Sequence, residues 1–283
     1  MSIECLESKL RESEENGKLP KIVIPVHLAG NSCEMESIWK LSKKYNFHII
    51  EDASHAIGGS YKQSKIGSCR YSDITVFSFH PVKIITTAEG GVATTNQKKI
   101  ADNIRKLRSH GIIKDREQFI NPNKSPWVYE QQQLGYNYRM TDIQAALGIS
   151  QLSRLESIVL ERQSILQRYQ EKMTALPIKF LKTSKNISSA THLAIIILDK
   201  YYKKHHEKIF IHMLNNNVGV QLHYMPVHLQ PYYRQFGFSE NNFPASEGYA
   251  QVAFSIPLYP GLTVSEQDYV VDTLAEIILE CKP

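Results

Sequence analysis

The stretch Phe77-Ser78-Phe79-His80-Pro81-Val82-Lys83-Ile84-Ile85-Thr86-Thr87-Ala88-Glu89-Gly90-Gly91 holds the most reactive arrangement in the chain. A lysine on a loop directly after a buried strand, followed by small residues and a glycine pair, can present its amine into a closed site and form a Schiff base with an aldehyde. Read alone, Lys83 could equally face solvent, as most loop lysines do. A second stretch, Glu51-Asp52-Ala53-Ser54-His55-Ala56, sets an acid at the end of an apolar run. A carboxylate there costs free energy unless a cation meets it, and the pyridinium N–H of pyridoxal phosphate is a partner of the right charge. Capping the following turn is the other role open to Asp52.

Elements of alternating type must position these residues. Lys21–His27, Phe47–Glu51, Ile74–Phe79 and Gly91–Thr95 read as strands; Cys33–Tyr45 and Lys98–Ser109 read as helices, which predicts an α/β domain with a mainly parallel sheet. Ligands of such sheets bind beyond the carboxyl ends of the strands, where Asp52, Ser54, His55 and the loop 80–89 fall. A long helix is expected from Thr141, where Thr-x-x-Gln144 forms a capping-box pattern. A large domain over 1–150 and a smaller α+β domain over 151–283 follow. In the latter, Leu193–Leu198 and Val220–His223 read as strands, and Lys204–Asn215 and Val264–Cys281 as helices, the last capped by Thr263-x-x-Glu266.

Composition excludes several classes. With 42% hydrophobic and 22% charged residues the chain is neither disordered nor fibrous. Its longest apolar run, Leu193–Leu198, is far short of the roughly 20 residues a membrane span needs, and no secretory signal is visible, so a cytoplasmic location is expected. Four scattered cysteines, Cys5, Cys33, Cys69 and Cys281, read as reduced thiols and argue against zinc. The net charge of +5 is spread along the chain apart from Lys203–Lys208, so no nucleic-acid partner is implied.

Taken together with Leu134-Gly135-Tyr136-Asn137-Tyr138-Arg139-Met140-Thr141-Asp142 and the stretch Ile22–Gly30, these motifs resemble the sugar aminotransferases of the DegT/DnrJ/EryC1/StrS family, of the fold-type I pyridoxal-phosphate enzymes. The resemblance covers nearly the whole chain. It implies that Lys83 binds pyridoxal 5'-phosphate covalently, that Asp52 meets the pyridine nitrogen, that Ser54 packs beneath the ring and that His55 contacts the phenolic oxygen. Ser78 would hold the phosphate, and Asn137 would reach the phosphate of a neighbouring subunit, which implies a homodimer with composite sites. Without their motif, Asn137 and Arg139 would read as a turn residue and a surface cation. Related sugar dehydrases carry histidine at the lysine position, so Lys83 points to amino transfer.

Val218–Tyr233 and the Thr86-Thr87-Ala88-Glu89 wording look like the sub-branch acting on UDP-linked 4-keto-6-deoxy-N-acetyl sugars in pseudaminic acid biosynthesis, with glutamate as donor. Arg139, His223 and Tyr224 are the candidate substrate contacts, although His223 and His228 could be half-buried residues at a strand end. The resemblance also implies that full members carry on the order of a hundred residues ahead of the strand at Lys21, with a Gly-Thr phosphate turn and a ring-covering aromatic. Two alternatives therefore stay open beside the main reading: another dTDP- or UDP-linked keto sugar, and a catalytically incomplete fragment.

Overall fold

The strand expected over Lys21–His27 forms only in pieces, because Pro25 has no N–H to give to a ladder. In the computed structural model, which describes residues 1–121 and 125–282, a helix not foreseen in the sequence, α1 (Ile3–Glu15), precedes β1 (Ile22–Val23). β1 pairs in parallel with β2 (His48–Asp52). Beyond the proline the pairing resumes: Asp52 N donates to Pro25 O and His27 N to Asp52 O, each at 3.0 Å. Between β1 and β2 runs α2 (Met35–Tyr45), whose buried Met35, Ile38, Leu41 and Tyr45 recur at helical spacing. It packs against α1 and β2.

A short hairpin, β3 (Ser60–Tyr61) and β4 (Ser64–Lys65), leads to β5 (Ile74–Ser78). β5 is parallel to β2 and antiparallel to the edge strand β6 (Gly91–Thr94), giving the order β1-β2-β5-β6. Alternation sorts the side chains. Val23, Ile49, Glu51, Thr75 and Phe77 are buried on one face, whereas Ile22, Ile24, Val26 and Val76 are exposed on the other. After β6 come α3 (Lys98–Leu107) and the antiparallel pair β7 (Ile112–Ile113) and β8 (Glu130–Gln131).

The long helix expected from Thr141 is two helices, α4 (Asp142–Leu152) and α5 (Leu155–Lys172). The capping box of Thr141 and Gln144 is formed. The break falls where Ser153 Oγ donates back to Ser150 O at 2.9 Å and the Arg154 guanidinium reaches the same carbonyl, a competition that loosens a helical ladder.

By contacts the chain divides into Met1–Leu28 with Ser32–Leu155, and Ala29–Asn31 with Glu156–Pro283. The second unit holds β9 (Ile178–Phe180), β10 (Ile187–Ser188), β11 (Ala194–Leu198), α6 (His206–Asn215), α7 (Pro231–Arg234), α8 (Pro244–Ala250), β12 (Ala253–Ile256) and α9 (Val264–Glu280). β11 lies between β12 and β9, antiparallel to both. Tyr169, Met173, Ile196, Met213, Phe254 and Leu274 centre its core. The expected strand Val220–His223 is reduced to one bridge, Gln221 to Ser255. No helix among the described residues is long and apolar enough to cross a membrane.

Candidate active site

The carboxyl ends of the parallel strands β2 and β5 gather the first set of candidate residues. Asp52 is in register with Val76, and Ser78 follows two residues on, so alternation puts the Asp52 carboxylate and the Ser78 hydroxyl on one face of the sheet. Ser54 N donates to Asp52 Oδ1 at 3.0 Å, which fixes one carboxylate oxygen and leaves the other available. Ser78 Oγ accepts a long bond of 3.4 Å from His80 N. His55 is buried, as are its neighbours Ala53 and Ala56, which pack on Phe77.

Lys83 sits on a loop held by its own main chain. Phe79 N donates to Gly90 O at 2.8 Å, Thr87 N to Phe79 O at 3.0 Å and Lys83 N to His80 O at 3.0 Å. Ile84 and Ile85, directly after the lysine, are buried and anchor the loop from below. From outside, Gln144 Nε2 on α4 donates to Glu89 O at 2.9 Å. The helix approaches so closely that a Cβ at Gly148 would lie 2.8 Å from the Thr87 methyl, so a larger residue there would force Thr87 or the helix to shift.

Electrostatics follow from this placement. Burial pushes the Lys83 ammonium below the ordinary lysine range, and the nearby Asp52 charge opposes that push without cancelling it. The neutral, nucleophilic form of the amine is therefore reached at a lower pH than for an exposed lysine. Asp52 is thus near enough for its charge to act on Lys83.

Asn137 and Arg139 are exposed. They belong to an extended segment that pairs with 107–110: Tyr136 N donates to Leu107 O, Tyr138 N to Arg108 O, and Asn137 bridges Ser109. Tyr136 and Tyr138 stack at 4.8 Å beside it. His223 and Tyr224 belong to the second unit. His223 Nδ1 is 2.7 Å from Ser255 Oγ, its carbonyl accepts from Tyr249 Oη at 3.0 Å, and the two rings meet edge to face. His228, which the sequence also singled out, bonds the Glu247 carboxylate at 2.9 Å.

Sequence reasoning overlooked the residue beside Asp52. Glu51 is buried on the opposite face and bonded to His27, Ser72 and Thr75. The signal was available: in a strand whose alternate members are apolar, the acid at an inward position needs partners.

An amine whose pKa burial lowers, a carboxylate acting on it and a hydroxyl on the same sheet face as that carboxylate match the donor set that pyridoxal phosphate requires, so these residues fit that cofactor. The model of the DegT/DnrJ/EryC1/StrS aminotransferase family matches residues 3–275. The UDP-4-amino-4,6-dideoxy-N-acetyl-beta-L-altrosamine transaminase of Campylobacter jejuni (serotype O:2) is 36% identical over 96% of this chain and 69% of its own length. Among solved structures, Spr1654 of Streptococcus pneumoniae in its PMP form superposes with a TM-score of 0.87 at 28% identity, covering 100% of this chain and 74% of that one. Helicobacter pylori PseC, an aminotransferase involved in the biosynthesis of pseudoaminic acid, gives 0.84 at 27%, covering 93% and 68%. The chain therefore spans about two thirds to three quarters of the length of these proteins.

Proposed function

The chain belongs to the DegT/DnrJ/EryC1/StrS aminotransferase family, and on that premise we propose that it moves an amino group from glutamate onto C4 of a UDP-linked 4-keto-6-deoxy-N-acetylhexosamine. The reaction class is that of the pyridoxal-phosphate-dependent sugar aminotransferases. When bound, the cofactor supplies a ring that takes up the electron pair left as the donor Cα proton departs. Lys83 anchors it and afterwards serves as the base, its Nζ lifting that proton; burial, by lowering the pKa of the amine, suits it to both tasks. Asp52 holds a proton on the ring nitrogen. Ser54 and His55 flank the ring, and Ser78 donates its hydroxyl to the phosphate. Asn137, exposed on its extended segment, serves the site of a second copy in a homodimer, and Arg139, His223 and Tyr224 contact the nucleotide sugar.

The observation that carries this reading is the joint presence of Asp52 and Ser78 on one sheet face with Lys83 within reach of the Asp52 charge. The sugar rests on the similarity to the Campylobacter transaminase. Two measurements test the proposal. Pyridoxal phosphate added to the chain should give a visible absorbance band that Lys83→Arg loses; an unchanged band in that variant would remove Lys83 from its role. Amino transfer from glutamate should be fastest with the UDP-linked 4-keto-6-deoxy-N-acetyl sugar in a panel that includes dTDP-linked and 3-keto sugars, and preference for another member would reassign the substrate.

A further inference from the structure

We propose that His27 and Glu51 are positioning residues for Asp52: a buried hydrogen-bonded set on the far face of β2 fixes the strand end from which the Asp52 carboxylate meets the cofactor. The inference rests on the cofactor site described above and adds residues to it.

His27 is 0% exposed and Glu51 5%. His27 Nε2 lies 2.8 Å from Glu51 Oε2, and Cys33 N donates to His27 Nδ1 at 3.2 Å. Nδ1 is therefore an acceptor, and the Nε2–H donates to the carboxylate. The other oxygen, Oε1, accepts from Thr75 Oγ1 at 2.9 Å and from Ser72 Oγ. Burial disfavours the charged Glu51, but the bonds from His27, Ser72 and Thr75 outweigh it and hold the carboxyl below its usual range. Both oxygens are thus committed.

The set joins three segments: the chain after β1, the end of β2 and the start of β5. These are the strands whose ends carry Asp52 and Ser78. Main-chain bonds close the same junction, since Asp52 is clamped between Pro25 O and His27 N. Because successive residues point to opposite faces of a strand, any twist of the β2 end that moves Glu51 moves Asp52 the other way. An apolar pair would fill the space without desolvating a charge, but it would not fix direction as hydrogen bonds do. The bond of His27 to Glu51 and the main-chain clamp on Asp52 converge on the β2 end, so the set acts first on Asp52.

The test compares two neutral replacements in the full chain without added cofactor. Glu51→Gln keeps an acceptor for His27 and a donor for the hydroxyls; Glu51→Ala keeps neither. Both remove the charge, so their difference isolates position. The readout is the pH profile of Lys83 acetylation by acetic anhydride, followed by peptide mapping, which reports how strongly Asp52 acts on the amine. Glu51→Ala should lower the Lys83 midpoint toward that of Asp52→Asn, while Glu51→Gln stays near the wild type. Equal profiles for Ala and Gln, shifted or not, would overturn the proposal. Should Glu51→Ala fail to fold by circular dichroism, Thr75→Val, which keeps the charge and removes one donor, must give a smaller shift in the same direction; a wild-type profile would again overturn it. A titration with pyridoxal phosphate separates the two readings: shifted acetylation profiles together with no cofactor binding in the wild type would sink the proposed function and leave the positioning intact.

Discussion

The Asp52 charge acts on Lys83, and that influence has a sign that can be measured. Burial lowers the Lys83 pKa and the Asp52 charge raises it, with burial the larger. The neutral amine therefore appears at a lower pH than for an exposed lysine. Asp52→Asn removes the raising influence, so the midpoint of Lys83 reactivity should move further down. Acetylation of Lys83 against pH checks this in the free chain. An upward shift would mean that Asp52 does not face the amine. Both residues stand out as candidates in the sequence, because a lysine after Phe-Ser-Phe and an acid at a strand end are local patterns, and the resemblance to the family joins them. The need of Glu51 for a partner was open to view, but its pairing with His27 was not, because it joins residues 24 positions apart and only the pairing of the β1 segment with β2 brings them together.

At the scale of elements, legibility followed the strength of local signals. Both capping boxes, Thr141 with Gln144 and Thr263 with Glu266, were read correctly because each is written within four residues. The break at Ser153 was missed because the apolar period runs on through it: Leu147 and Leu152 are exposed before it, Val159 is buried after it. β12 gave no signal at all, since all four residues are buried and no alternation remains. The consequence for stability can be tested on α9. Thr263 Oγ1 accepts from Glu266 N, so Thr263→Ala should cost about 0.5–2 kcal/mol. Leu274, 0% exposed in the core of the second unit, should cost about 2–5 kcal/mol on truncation to Ala. Urea unfolding of both variants measures the order; a cap that cost more than the core leucine would refute the view that burial dominates here.

At the scale of the whole molecule, the first unit leaves apolar surface that a lone chain has no reason to display. Ile143 is 84% exposed and Ile149 71% along α4, and Leu134, Tyr136 and Tyr138 lie open on the segment that carries Asn137. Exposed aliphatic and aromatic groups beside a polar residue are what an interface between copies presents. If a second copy covers them, Asn137 of one subunit completes the site containing Lys83 of the other, as the proposed dimer requires. Mixing inactive variants decides this. Lys83→Arg and Asn137→Ala should each be inactive alone, since each spoils both sites of its own dimer. In a mixed dimer both lesions fall in one shared site and the other is wild type. Random exchange at equal amounts then restores about a quarter of the wild-type amino transfer. If subunits exchange, as mass spectrometry of the dimers can verify, and no activity returns, Asn137 acts within its own chain. Ile143→Asp with Ile149→Asp should in turn shift sedimentation from that of the proposed dimer toward the monomer, and abolish the recovery on mixing.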